Sequence, residues 1–157
     1  MKFKPTIAID SREQTPLVFR NLKTRVATLR AGDYSVVGLE DKISVERKSL
    51  PDLCAVVGRE RRRFLRELQR LKAYRFRCLL IEATAADLLR GGWRSKVTPA
   101  AVTGSLMAWM AKYDLPVLLA DNHEIAATLV EKYLYQCVRV LWTQCEAIHD
   151  LMAANAV

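Results

Sequence analysis

Residues 32–52 read GDYSVVGLEDKISVERKSLPD, and this stretch decides the fold because it predicts a β-hairpin with a turn at residues 38–41. If Val37 pairs with Lys42 across the turn, Asp33 comes to lie opposite Glu46. Side chains alternate along a strand, so the pairing separates an apolar face from a polar one. The apolar face carries Tyr34, Val36, Ile43 and Val45, and the polar face carries Asp33, Ser35, Ser44, Glu46 and Lys48.

The two opposed carboxylates, Asp33 and Glu46, should repel each other unless a metal ion or a proton lies between them. Lys48 follows Glu46 by two residues and therefore points the same way. Mg²⁺ prefers oxygen ligands, and a lysine beside it can position an attacking water or stabilise charge on phosphorus. The constellation predicts metal-assisted hydrolysis of a phosphodiester, with a solvated surface pair of Glu46 and Lys48 as the alternative.

A polar cluster precedes the hairpin and is predicted to reach the same cleft. Residues Thr6–Asp10 read as a short buried strand that ends in Asp10-Ser11-Arg12-Glu13. Asp10 and Glu13 would act there as extra metal ligands or as hydrogen-bond partners of the ligands. Between this cluster and the hairpin, alternating residues predict a further strand over Thr24–Arg30.

Two helices are predicted directly after the hairpin. The first covers Leu50–Val57, with Ser49 as its N-cap and Gly58 at its end. The second covers Arg59–Tyr74 and has an apolar stripe of Phe64, Leu68 and Leu71. Its other faces are basic, which favours phosphate contact over a merely solvated surface. The predicted DNA-binding residues are Arg59, Arg62, Arg63, Arg66 and Arg70.

The second half of the chain alternates strands and helices. It predicts strands at Cys78–Ile81 and Pro116–Ala120, and helices at residues 84–89, 98–113 and 124–152. The whole pattern is typical of an α/β fold with a mixed central β-sheet and helices on both faces. The last helix is apolar over a wide arc, which suggests that it packs on the core and also on a second subunit. Trp93, in a Gly-Gly loop, is expected to anchor that loop on the protein rather than to stack on a base.

Composition sets the outer limits of these predictions. A length of 157 residues suits a single domain, residues 1–157, and a net charge of +8 favours a polyanionic partner. The four cysteines are widely spaced, which argues against a zinc site and predicts buried, reduced thiols in a cytoplasmic protein. No apolar run is long enough to span a membrane, so no membrane partner is expected.

The motif residues resemble a known family. Gly32-Asp33, Glu46-Arg47-Lys48 and Asp52 are similar to the GDx(n)ERKx(3)D signature of the XPF family of structure-specific endonucleases, which have the PD-(D/E)xK restriction-endonuclease-like fold. Three further matches support the resemblance: the Asp10–Glu13 cluster, the basic segment from Gly58 to Leu71, and Leu79–Glu82. Glu67 stands where relatives often carry glutamine.

The resemblance implies cleavage of DNA, with branched or flapped DNA in repair or recombination as the expected substrate. Asp33 and Glu46 would hold Mg²⁺ or Mn²⁺, Lys48 would be the catalytic lysine, and Asp52 would orient the site. Arg47, Asp10 and Glu13 would be further active-site residues, and the last helices would join two copies into a homodimer. Two alternatives stay open: a non-catalytic DNA-binding pseudo-nuclease, and a subunit of a nuclease complex.

Overall fold

The structure, a computed structural model, describes residues 4–154 and places a six-stranded mixed sheet at the centre of the protein. The strand order is β2-β1-β3-β4-β5-β6. The β1–β3 and β3–β4 pairs are antiparallel, whereas β1–β2, β4–β5 and β5–β6 are parallel. The strands are β1 (Ile7–Asp10), β2 (Thr24–Ala27), β3 (Tyr34–Val36), β4 (Ile43–Ser49), β5 (Phe76–Glu82) and β6 (Val117–Leu119). The helices are α1 (Leu50–Val57), α2 (Arg61–Leu71), α3 (Ala85–Arg90), α4 (Pro99–Tyr113) and α5 (His123–Ala154).

The predicted hairpin is confirmed as β3 and β4, and Tyr34 pairs with Val45 in the expected register. The predicted pair of Val37 and Lys42 is wrong, because the backbone N–H of Val37 donates to Thr6 and that of Lys42 donates to Leu39. The connection is therefore a loop over residues 37–42. The register is preserved because the buried side chains of the two strands, rather than a tight turn, fix it.

Helices cover both faces of the sheet, as predicted. On one face, the apolar side of the hairpin packs against α5 through Ala126, Val130 and Leu134. On the other face, Leu79 and Ile81 of β5 pack against the apolar sides of α1, α2 and α4. The strand β5 is thus buried on both faces, which explains its nearly continuous apolar sequence.

Local capping explains where most helices begin. The hydroxyl of Ser49 accepts a hydrogen bond from the N–H of Asp52 at the start of α1, and Thr98 caps α4 in the same way. Thr84 forms a reciprocal capping box with Asp87 at the start of α3. The side chain of Asn122 accepts from the N–H of Ile125 and caps α5. These helix starts confirm the sequence prediction within one residue.

Several elements are shorter than predicted, β2 and α2 by the most residues. The strand β2 ends at Ala27 because the chain then turns so that the N–H of Leu29 donates to the carboxylate of Asp10 at 2.7 Å. The helix α2 begins at Arg61, so Arg59 lies in the turn that precedes it.

The cysteine prediction needs one correction. Cys54, Cys78 and Cys137 are buried free thiols. Cys145 is exposed, because α5 is solvent-exposed from residue 142 onwards. Among the helices of residues 4–154, none has the length and apolar character needed to cross a membrane.

Candidate active site

Asp33 is placed by the glycine that precedes it. Gly32 has a positive φ of 76°, and a Cβ atom there would collide with the hydroxyl of Ser44 and lie 2.9 Å from the carbonyl oxygen of Val45. Only glycine allows this close approach of the two strands. The carboxylate of Asp33 then accepts a hydrogen bond of 2.7 Å from the backbone N–H of Arg47, which fixes it beside β4.

Strand β4 presents Glu46 and Lys48 on one side and Arg47 on the other. Glu46 is only 5% exposed, and its carboxylate forms an ion pair with the ammonium of Lys48. The Lys48 nitrogen also lies 5.4 Å from the centre of the Phe64 ring of α2, which limits its movement. The structure therefore brings Asp33, Glu46 and Lys48 together, as the alternating pattern predicted.

The charges at this point are unfavourable for the free protein. Burial, followed by the nearby charge of Glu46, raises the pKa of Asp33 to about 7. Burial also raises the pKa of Glu46, although Lys48 acts in the opposite direction. Burial alone would lower the pKa of Lys48, but the charges of Glu46 and Asp33 outweigh it and raise that pKa. The raised pKa values mean that the surroundings of the two carboxylates disfavour their negative charges. A divalent cation between them would favour those charges.

The side chain of Arg47 lies on the α5 side of the sheet and links four segments of the chain. Its Nε donates to Glu82 at 2.5 Å, and its Nη1 donates to Glu13 at 3.3 Å and to the carbonyl of Thr15 at 3.2 Å. Its Nη2 lies 3.3 Å from Nδ1 of His123, the first residue of α5. We call this group of four side chains, Arg47, Glu13, Glu82 and His123, the arginine clamp.

The carboxylate of Asp10 is hydrogen-bonded to Arg12 and Leu29 and not to the other acidic residues of the site. It accepts hydrogen bonds from Nε and Nη2 of Arg12 and from the backbone N–H groups of Arg12 and Leu29. Burial would raise the pKa of Asp10, but these hydrogen bonds and the charge of Arg12 hold it below its ordinary value. Asp10 thus orients Arg12, whose side chain is largely exposed at the cleft.

The side chains described above line one cleft of about 510 Å³, except for Phe64 and for Glu82 and His123 of the arginine clamp. Asp52 lies at its rim, where its carboxylate accepts a 2.6 Å hydrogen bond from the Ser49 hydroxyl. Across residues 4–154, no cluster of three or more His, Cys, Asp or Glu side chains has an arrangement suited to a metal ion. Asp33 and Glu46 offer two carboxylates, and Mg²⁺ commonly takes its remaining ligands from water and substrate phosphate.

Only part of the basic helix faces this cleft. Arg63, Glu67 and Arg70, spaced along one side of α2, line the cleft. Arg62 and Arg66 are exposed on the side of α2 opposite its buried stripe. The 100° step between helical residues would have separated these sides from sequence alone. Arg63 also lies near Glu60 and Glu67, so the helix surface is less uniformly positive than its arginines suggest.

The sequence prediction assigned no site role to three residues that the structure places there. Gly32 had a signal, since a glycine directly before a motif aspartate indicates a special backbone conformation. Glu82 ends a buried strand, which is a common place for a functional polar residue. His123 had no detectable signal, because its contact with Arg47 joins residues 76 positions apart in sequence.

Comparison with known proteins identifies the family of this chain. The model of one family, the ERCC4 domain, matches residues 9–133. This chain belongs to the ERCC4 domain family. No curated protein matches it.

Two solved structures have a fold similar to that of this ERCC4 domain. XPF from Aeropyrum pernix in complex with DNA has a TM-score of 0.69 at 19% identity, over 87% of this chain and 66% of that chain. XPF from the same organism without DNA also has a TM-score of 0.69 at 19% identity, over 85% and 61% of the two chains. The likeness shows the fold, and the ERCC4 domain described here spans less than two thirds of the length of these chains.

Proposed function

We propose that this ERCC4 domain is a DNA endonuclease that requires Mg²⁺ or Mn²⁺ and acts on branched or flapped DNA. One observation carries the proposal: Asp33, Glu46 and Lys48 converge in a single cleft, with a buried ion pair and two carboxylates of raised pKa. The family and the DNA-bound XPF relative support nucleic acid as the partner.

The donor set fits a hard divalent cation. Asp33 and Glu46 would hold it through carboxylate oxygens, and their mutual repulsion would be relieved by its charge. Such an ion would polarise the phosphodiester and help a water to lose its proton.

The residues of this chain would do the remaining work. Lys48 would orient the attacking water and stabilise the charge that develops on the phosphate oxygens. Arg63 and Arg70 would hold the phosphates on either side of the scissile one. The arginine clamp would hold the loop that carries Glu13 against β4, so that Arg47 and Glu13 act as positioning residues rather than on substrate. Asp10 would also be a positioning residue, because it orients Arg12.

The decisive experiment incubates the purified chain with linear duplex, single strand, splayed arm, flap and four-way junction, with Mg²⁺ and with EDTA. We expect cleavage of at least one branched substrate in Mg²⁺ only, with 5′-phosphate and 3′-hydroxyl ends. Tight binding of the same DNA without any cleavage would favour the pseudo-nuclease alternative. Cleavage only after addition of a partner chain would favour the nuclease-subunit alternative.

The pKa of Asp33 makes a prediction about stability. A folded-state pKa of about 7, against 3.8 for the free side chain, means that protonated Asp33 favours the folded state at low pH. This contribution is complete below about pH 4 and is lost as the pH rises through 7. We expect Asp33→Asn to raise the melting temperature relative to wild type at pH 8, with a difference that shrinks towards pH 5.

Adding Mg²⁺ at pH 8 should raise the melting temperature of the wild type and leave that of Asp33→Asn nearly unchanged, because the variant lacks the charge that attracts the ion. Differential scanning fluorimetry measures both effects without any cleavage assay. Parallel pH profiles of the two proteins would contradict the assigned environment of Asp33.

The two sides of α2 make a prediction about DNA binding. We expect Arg63→Ala with Arg70→Ala to weaken duplex binding and to lower the slope of log K against log salt by about two, one for each lost phosphate contact. The matched control is Arg62→Ala with Arg66→Ala, which removes the same charge from the outer side. Fluorescence anisotropy over a salt series measures both, and an equal loss in the two pairs would mean that DNA does not lie in the cleft.

The end of α5 supports a homodimer. The stripe that packs on the sheet through Leu134 and Val138 continues along α5 as Leu141, Trp142 and Ile148. Trp142 is 47% exposed and Ile148 is 58% exposed. A second copy could cover these side chains. We expect light scattering to give a dimer for the wild type and a monomer for Ile148→Asp, whereas a wild-type monomer would contradict the proposal.

A further inference from the structure

A second cavity, of about 430 Å³, lies along α1 beside the loop that precedes α4. Its chemistry is opposite to that of the cleft, because none of its lining residues is acidic, whereas six acidic residues line the cleft. A divalent cation would therefore find no carboxylate ligand here. The lining residues are Pro51, Cys54, Ala55, Gly58, Arg59, Ser95, Lys96 and Val97.

The walls of this cavity are fixed by specific contacts. The indole N–H of Trp93 donates to the carbonyl of Val97 at 2.6 Å, and the N–H of Val97 donates to the hydroxyl of Ser95 at 3.2 Å. A Cβ atom on Gly58 would lie only 3.1 Å from Cγ2 of Val97, so the loop packs closely against the end of α1. A ligand would meet a preformed surface and would pay little to order it.

The cavity combines an apolar floor with a cationic rim. The buried Cys54 and the half-buried Ala55 and Val97 form the apolar part. Arg59 and Lys96 are exposed at the rim, and the only carboxylate near Arg59 among the described ion pairs is that of Glu60, at 3.6 Å. An apolar surface for a base and two cations for its phosphates fit an unpaired nucleotide held by apolar contact and phosphate pairing rather than by aromatic stacking.

The cavity lies beside the cleft, because Pro51 lines the cavity and the next residue, Asp52, lines the cleft. A nucleic-acid strand that leaves the cleft past Asp52 would therefore meet the cavity next.

We infer that this cavity holds one unpaired nucleotide of a DNA strand, with its base against Ala55 and Val97 and its phosphates at Arg59 and Lys96. The position relative to the cut rests on the proposed nuclease function, but the binding itself needs no metal. A domain with such a site would prefer DNA with an unpaired strand beside the scissile bond.

The test measures binding of the full chain to a fluorescein-labelled oligothymidylate in EDTA, over a salt series. Lys96→Ala and Arg59→Ala should each weaken binding several-fold and lower the salt slope by about 0.7. Ala55→Leu, which fills the floor without changing charge, should weaken binding several-fold at an unchanged slope. The control is Lys112→Ala, an exposed lysine at the far end of α4, and it should bind like the wild type.

An abasic oligonucleotide separates a base site from a general phosphate surface. Ala55→Leu should not affect binding of the abasic strand or of a blunt duplex. Equal losses on all three probes, or wild-type slopes in both Lys96→Ala and Arg59→Ala, would overturn the inference. Because Lys96 is exposed, Lys96→Ala stays informative even if Ala55→Leu fails to fold. If the cavity variants bind DNA like the wild type and the wild type cleaves DNA, this inference fails and the nuclease proposal stands. If the variants lose binding as expected and the wild type does not cleave DNA, only the nuclease proposal is refuted.

Discussion

Lys48→Met is expected to reduce DNA cleavage by about a thousandfold, which is the usual loss when one preorganised charge is removed from a transition state. The ammonium of Lys48 forms an ion pair with Glu46 and lies over the Phe64 ring, so no neighbouring cation can replace it without rearrangement. Methionine keeps most of the side-chain volume and therefore the packing against α2. Single-turnover cleavage of the preferred substrate in Mg²⁺ measures the effect.

The matched control for this variant is Lys42→Met, in the loop of the same hairpin, where the lysine is exposed and forms an ion pair with Asp41. Cleavage by the control should stay within a factor of two of wild type, and DNA binding should be retained in both variants. If Lys48→Met cleaved within tenfold of wild type, Lys48 would not be the catalytic lysine.

Arg47→Ala is expected to destabilise the folded protein by about 3 kcal/mol, because it leaves buried carboxylates without their partner. The side chains of Arg47 and Glu82 are 10% and 15% exposed, so the Glu82 carboxylate would lose its cation in a poorly solvated place. Cleavage should also fall, because the loop that carries Glu13 would no longer be held against β4. Urea denaturation followed by tryptophan fluorescence measures the loss.

Arg59→Ala provides the comparison, since the side chain of Arg59 is 82% exposed and its removal should change stability by less than about 0.5 kcal/mol. The double variant Arg47→Met with Glu82→Gln should be less destabilised than Arg47→Ala alone, because the carboxylate of Glu13 then lacks its partner but that of Glu82 no longer does. A stability of Arg47→Ala equal to that of wild type would show that the clamp has no structural role.

The parts of the fold that were predictable are local. Alternation with a period of two gave the register of Tyr34 with Val45, and the hydroxyls of Ser49 and Thr98 marked the first residues of α1 and α4. The same alternation brought Asp33, Glu46 and Lys48 to one side of the hairpin. Each of these features depends on residues that are close in sequence or paired across one hairpin.

The missed parts depend on contacts between distant segments. The parallel pairing of β4 with β5 and of β1 with β2 is set by packing over the whole sheet, and no short pattern encodes it. The arginine clamp needs that strand order, because Glu82 and His123 reach Arg47 only when β5 and α5 lie beside β4. The expectation that all four cysteines are buried failed at Cys145 because the sheet, not α5, determines how much of the helix is covered.

Strand β4 points its site residues in two directions, with the carboxylate of Glu46 and the ammonium of Lys48 on one side and the guanidinium of Arg47 in the arginine clamp on the other. A deletion of one residue within this strand would exchange its two sides. The guanidinium of Arg47 would then leave the arginine clamp, and the carboxylate of Glu46 would lie beside the carboxylates of Glu13 and Glu82. Point substitutions can be compensated one at a time during evolution, but a shift of the whole strand by one residue cannot. We therefore expect natural length variation to concentrate in the loop over residues 37–42, while the spacing within β4 is inherited unchanged.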